Sequence, residues 1–170
     1  VTTAATGMYT LVVTAGTCSN VTTSSITVNP NPVIAFTNTN VLCNGGTSGI
    51  SESSVSVGTG PFNYNWSNGQ NVGTATNLGV GQYTLTVTDA NGCFATAVTN
   101  ITEPTSMSIT INASAADACA GENITLNGIA SGGAGAYTYS WTPGPTTAQF
   151  NVSEALDGNY NYTVLATDNN

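Results

Sequence analysis

Short runs of alternating apolar and polar residues recur along this chain, and Gly or Asn clusters break them. A period of two marks extended strands with one face buried. In the middle of the chain it predicts strands at Val33–Thr37, Ile50–Val57, Phe62–Trp66, a short one near Gln70–Ala75, then Tyr83–Thr88 and Phe94–Thr102. The sequence DANG, Asp89–Gly92, separates the last two and reads as a hairpin turn, because Asn and Gly accept positive φ at little cost. No segment carries a helical stripe.

The pattern repeats. GPFNYNWSNG (Gly60–Gly69) aligns with GAYTYSWTPG (Gly135–Gly144), which places Tyr64 on Tyr139 and Trp66 on Trp141, both 75 residues apart. Cys43 falls on Cys119, and YTLTVTD from Tyr83 matches YTVLATD from Tyr162 and YTLVVTA from Tyr9. The period is about 75 residues, the signature of a tandem array. The expected organisation is the C-terminal part of one module in residues 1–29, a complete module in 30–104, and a third module lacking its last strand in 105–170. The chain reads as a mature or excised segment.

Six or seven short strands per module, with a Trp on the third and a Tyr opening the penultimate one, describe an immunoglobulin-like sandwich. The fold class expected is therefore all-β: tandem immunoglobulin-like β-sandwich modules in an elongated array. Alternation places Tyr64, Trp66, Tyr83, Tyr139, Trp141 and Tyr162 in the cores. Cys43 precedes the second strand and Cys93 opens the last, so the two are expected to meet at one end of the sandwich. A disulfide there would close a loop of about 50 residues, worth roughly 4 kcal/mol in the chain-entropy model; the alternative is free buried thiols. Pro30 and Pro32 in VNPNP, and Pro104 in ITEPT, mark stiff linkers between modules, since proline fixes φ. Neighbouring modules would then form a semi-rigid rod.

Composition narrows the function. The 170 residues include no Lys, Arg or His and eight carboxylates, a net charge of −8. Without basic side chains a nucleic-acid partner is not expected, because Lys and Arg supply most of that affinity. Salt bridges between side chains and lysine-based isopeptide crosslinks are excluded. A Ser or Cys nucleophile has no imidazole or amine to activate it, and Glu52, Asp89 and Glu103 are too dispersed for a glycosidase pair. The chain is expected to be no enzyme. Nor does any run approach the roughly 18 apolar residues of a membrane helix, so membrane insertion is not expected.

The stretch CNGGTSGISESSVSVGTGPFNYNWSNG, followed by TATNLGVGQYTLTVTDANGC and ITEP, from Cys43 to Pro104, resembles the SprB-type repeat of large surface adhesins in gliding Bacteroidota-type bacteria. The flanking segments look more like the PKD-like or immunoglobulin-like modules that accompany such repeats. The third departs from the repeat at GAYTYSWTPG and at ALDGNYNYTVLATDNN. The resemblance implies an extracellular protein of the bacterial cell surface, exported by type IX secretion and acting in adhesion or gliding motility. The resemblance identifies no ligand; the partners expected are neighbouring modules of the same chain, with surface glycans or other copies in a filament as further candidates.

Two further chemistries stay open on the residues. Calcium prefers hard oxygen ligands, which Asp89 and Asn91 offer at the hairpin, Asp168, Asn169 and Asn170 at the matching turn, and Glu103 at the linker. The same Asp89 explains itself without metal as the cap of an Asx-type turn. Tyr and Trp faces could stack on sugars, which gives the second functional reading, a carbohydrate-binding module with a site on exposed aromatics and loops. Alternation also puts Tyr64 and Trp66 on the side of Phe62, as an inner face would, and core is the reading favoured for Trp66 and Trp141.

Overall fold

A computed structural model of the chain describes residues 6–154, 156 and 158–169. The described residues form strands and turns without a helix. The strands are β1 (Gly7–Ala15), β2 (Cys18–Ile26), β3 (Ile34–Thr39), β4 (Gly49–Val55), β5 (Asn63–Trp66), β6 (Thr74–Leu78), β7 (Gly81–Thr88), β8 (Phe94–Ile101), β9 (Thr105–Ala113), β10 (Ile124–Gly133), β11 (Tyr137–Thr142), β12 (Gln149–Val152) and β13 (Thr163–Asp168). They make five small sheets: β1-β2, β3-β4-β6, β5-β7-β8, β12-β10-β9 and β11-β13. The architecture is all-β and of sandwich-like class.

The sheet orders repeat along the chain. In β3–β8 the first, second and fourth strands form one sheet and the third, fifth and sixth the other. In β9–β13 the first, second and fourth again associate, and the third pairs with the fifth. The register repeats as well: Trp66 lies opposite Leu85 in the antiparallel β5–β7 pair, and Trp141 opposite Val164 in β11–β13.

Two compact units are distinguished, each discontinuous in sequence. One comprises Val1–Thr37, Glu52–Thr74 and Tyr83–Thr99. It buries Trp66, Leu85 and Val87, and Phe36 packs tilted on Trp66 with ring centroids 5.6 Å apart. The other comprises Asn38–Ser51, Ala75–Gln82 and Asn100–Asn170. It buries Val41, Ala75, Leu78 and Ile101, and a separate cluster of Leu126, Trp141 and Val152 flanked by Phe150 and Tyr162.

One predicted strand is displaced. The expected Gln70–Ala75 is β6 at Thr74–Leu78. Its buried residues, Ala75 and Leu78, stand three apart rather than two, because Asn77 between them adopts φ 54°. A left-handed residue inside a strand shifts the alternation by one, so the period-two pattern stops short of Leu78. The backbone at Gly49 approaches this strand so closely that a Cβ there would lie 2.6 Å from the Leu78 carbonyl oxygen.

The expected Cys43–Cys93 disulfide is not formed; both cysteines are free thiols, as are Cys18 and Cys119. The reason lies in strand direction. β8 runs the same way as β3: the Cys93 sulfur is 3.8 Å from the Asn29 carbonyl before β3, while the Asn38 amide donates to the Asn100 carbonyl and the Val41 N–H to Thr102 beyond β3. Cys43 therefore follows the end of β3, whereas Cys93 precedes the start of β8. Eight residues of extended strand amount to about 26 Å, and a disulfide needs Cα atoms within about 7 Å.

Six strictly alternating strands would have brought the two cysteines together. Instead β6 runs antiparallel to β4, with the Ser53 N–H donating to the Gly73 carbonyl 3.0 Å away. Residues 67–73 thus cross back without forming a strand, pinned by the Trp66 indole N–H on the Val72 carbonyl at 2.9 Å. That extra crossing reverses the direction of every later strand.

Candidate functional site

The polar chemistry of the chain is concentrated in its carboxylate-capped turns. At the β7–β8 hairpin, Asp89 Oδ1 accepts the backbone N–H groups of Asn91 and Cys93, both at 2.9 Å, and Oδ2 accepts that of Thr59 at 3.0 Å. The turn closes further through Gly92 N–H on the Asp89 carbonyl and Asp89 N–H on the Cys93 carbonyl. Asp89 is buried. The Thr59 N–H holds its carboxyl below the usual aspartate range; desolvation opposes this, and the N–H groups of Cys93 and Asn91 add to it. A buried carboxylate with three backbone donors fits the Asx-turn explanation of DANG.

Glu103 occupies a different place from Asp89. Its Oε1 accepts the Asn44 side-chain amide at 3.1 Å and its Oε2 the Gly45 N–H at 2.6 Å, while the same Asn44 amide also reaches the Pro104 carbonyl at 3.1 Å. The linker residues 103 and 104 are thereby tied to the Cys43–Gly46 turn, which closes through Gly46 N–H on the Cys43 carbonyl. Glu103 follows the C-terminal end of β8, and Asp89 with Asn91 precedes its start, so the candidate calcium ligands Asp89, Asn91 and Glu103 do not converge on one ion. No group of three or more Asp, Glu, Cys or His side chains suited to a metal occurs among the described residues.

At the matching turn, Asp168 Oδ2 accepts the Ala134 N–H at 2.7 Å. Its Oδ1 is buried without a partner. Asn169 gives its N–H to the Ala136 carbonyl, and Asn170 lies outside the described residues.

The tryptophans are enclosed. Trp66 is 2% and Trp141 3% exposed. Each indole N–H is spent on a backbone carbonyl six residues on, Val72 or Thr147, at 2.9 Å. Neither ring is available to stack on a ligand. Tyr64, Tyr83, Tyr139 and Tyr162 are half-buried. Tyr64 lines a shallow polar hollow with Asn63, Asn65, Asn71, Thr86 and Thr88. Of the linker prolines, Pro32 is buried, Pro104 half-buried and Pro30 exposed.

The second unit carries a larger open cleft of about 740 Å³, whose walls include Ile124, Leu126, Val152, Glu154 and Tyr162. The Tyr162 hydroxyl donates to Glu154 Oε1, and this bond, with desolvation and the nearby carboxylate charge, pushes its pKa up to about 12. Nothing in the sequence pattern announced this cleft, because its walls come from two separated stretches, within 113–126 and 152–162. The interaction of Glu103 with Asn44 and Gly45 was likewise missed: it spans 58 residues or more, beyond the reach of any local motif. No protein-family model matches the chain, and no curated protein matches it.

Proposed function

We propose that this chain is a non-catalytic segment of a large, repetitive adhesin of the bacterial cell surface. In this reading it is built of tandem immunoglobulin-like modules and acts as a semi-rigid stalk in surface attachment or gliding motility. The observation that carries the reading is the recurrence of one strand order in β3–β8 and in β9–β13, each with its Trp enclosed and an Asp at the end of the penultimate strand or its counterpart. Repetition of a packed unit is what a spacer requires. The tie between Glu103, Asn44 and Pro104 supports stiffness, since it fixes the linker that leaves β8 to the Cys43–Gly46 turn. The likeness of Cys43–Pro104 to SprB-type repeats supports the cell-surface setting.

A glycan array probed with the purified chain tests this reading. A stalk segment gives no saturable binding to any glycan. Saturable binding by the single chain would replace the stalk with a carbohydrate-binding module.

A further inference from the structure

Four Asn-Gly pairs occur in the chain: Asn44–Gly45, Asn68–Gly69, Asn91–Gly92 and Asn127–Gly128. Glycine carries no side chain to hinder its own nitrogen, so such a pair is where a backbone nitrogen most readily attacks the preceding side-chain amide. The attack closes a succinimide ring and expels ammonia. It requires the attacking nitrogen to lose a proton and the departing one to gain it.

At three of the pairs the glycine N–H is held by a main-chain carbonyl, which does not take up a proton. Gly69 donates to Trp66 at 2.9 Å, Gly92 to Asp89 at 3.0 Å and Gly128 to Ala148 at 2.9 Å. Asn44–Gly45 differs. The Gly45 N–H lies on Glu103 Oε2 at 2.6 Å, and Asn44 Nδ2 lies on Oε1 of the same carboxylate at 3.1 Å. One carboxylate therefore touches both nitrogens that the reaction exchanges. Asn44 and Gly45 are exposed, so water reaches them, while Glu103 is half-buried.

Two places in the molecule lack one part of this arrangement. The Asn91 side chain also bonds a carboxylate, that of Asp89, but the Gly92 N–H goes to the Asp89 main-chain carbonyl. The base there reaches only the departing nitrogen. At the turn that matches Cys43–Gly46, Cys119 is followed by Ala120 in place of Asn44. That turn has no amide to lose.

We propose that Asn44–Gly45 is a self-modifying site, with Glu103 carrying the proton from the attacking to the departing nitrogen. Oε2 takes the Gly45 proton as that nitrogen bonds to Asn44 Cγ. The carboxyl hands the proton to Nδ2 as the Cγ–Nδ2 bond breaks, ammonia leaves, and Glu103 is ionised as before. Water then opens the ring at either carbonyl, leaving aspartate or isoaspartate at position 44. One water is consumed and one ammonia released, with nothing oxidised or reduced. The product loses both Nδ2 donations, to Glu103 and to the Pro104 carbonyl, and sets a second carboxylate against the first. The linker after β8 is thereby released from the Cys43–Gly46 turn. That this loosens a stalk rests on the function proposed above; the chemistry does not.

Chymotryptic peptide mapping by mass spectrometry, on the full chain aged in neutral buffer with reductant, tests this. Asn44 should convert to aspartate and isoaspartate at least about tenfold faster than Asn68, Asn91 or Asn127. In denaturant, where no fold holds Glu103 in place, the four should convert at similar rates. Glu103→Gln, which keeps the shape but cannot carry the proton, should slow Asn44 about tenfold or more and leave Asn68 unchanged as a monitor of folding. An Asn44 no faster than Asn68 in the folded chain overturns the inference. So does an Asn44 rate that Glu103→Gln leaves unchanged or raises, since the carboxylate would then be a clamp rather than a carrier. Glycan binding would end the stalk reading without altering these rates, so the two fail separately.

Discussion

The β5-β7-β8 sheet and the β11-β13 sheet repeat one strand arrangement, and among the described residues the second has one strand fewer. In the first, Leu85 and Val87 on the central strand are fully buried; in the second, the corresponding Val164 and Ala166 are only half-buried. Asp89 uses both carboxylate oxygens, Asp168 one. The tryptophans nevertheless sit alike, 2% and 3% exposed, with the same indole-to-carbonyl bond six residues on. Each Trp packs on a Phe of another strand, Phe36 for Trp66 and Phe150 for Trp141, and ties its indole N–H to the loop that follows. The half of the core that differs is the one β8 covers in the first sheet, together with the turn at the start of β8.

The largest effect should come from truncating the tryptophans. Trp66→Ala should destabilise by about 3–5 kcal/mol, the range for a buried aromatic. Trp141→Ala should fall at or below the low end, because fewer of its neighbours are fully buried. Denaturant unfolding by circular dichroism, with the remaining Trp as a local fluorescent reporter, measures both. Equal costs, or a larger one at Trp141, would break the comparison.

A smaller difference should separate the two aspartates. Asp89→Asn removes an oxygen that accepts a backbone N–H and leaves that donor unsatisfied, so it should lower the melting temperature more than Asp168→Asn does. The pH dependence sharpens this. The Asp89 carboxyl is depressed when folded, so its stabilisation is present above the unfolded value of about 3.9 and is lost as pH falls through the lower folded value. Acid unfolding of Asp89→Asn should lack that component; an unchanged acid midpoint would mean the three N–H bonds do not hold in solution.

The smallest effect sits in the second region alone. Tyr162 is raised to about 12 by its bond to Glu154. Its contribution is therefore complete below the unfolded value of about 10 and disappears as pH rises through about 12. Tyr162→Phe should remove this alkaline dependence while leaving neutral-pH folding intact. Titration of the phenolate by ultraviolet absorbance, compared between the two forms, checks it. A Tyr162 that ionises near 10 would show the contact to be absent.

Local pattern carried most of the secondary structure and little of the arrangement of ends. Alternation located β3, β4, β5, β7 and β8 to within a few residues and put Trp66 and Trp141 on faces that are buried, because side-chain direction in a strand is a period-two property readable from neighbours. Asp89 could be read as its own turn cap for the same reason: its acceptors lie within four residues of the N–H groups of Asn91 and Cys93. What alternation lacks is strand direction. Residues 67–73 cross the structure without an alternating pattern, so the sequence offers no sign that β8 runs with β3 rather than against it.

By itself, then, the sequence determined an all-β chain with a repeat of about 75 residues. It also determined a surface chemistry without any basic group, since these follow from residue types and their spacing. Tertiary structure alone decided that Cys43 and Cys93 lie by opposite ends of β8 and that Glu103 binds Asn44 and Gly45 rather than joining Asp89. Each depends on which strand ends share a side of the sheets. That is set by the number of times the chain crosses, a global count to which a single unpatterned loop contributes as much as any strand.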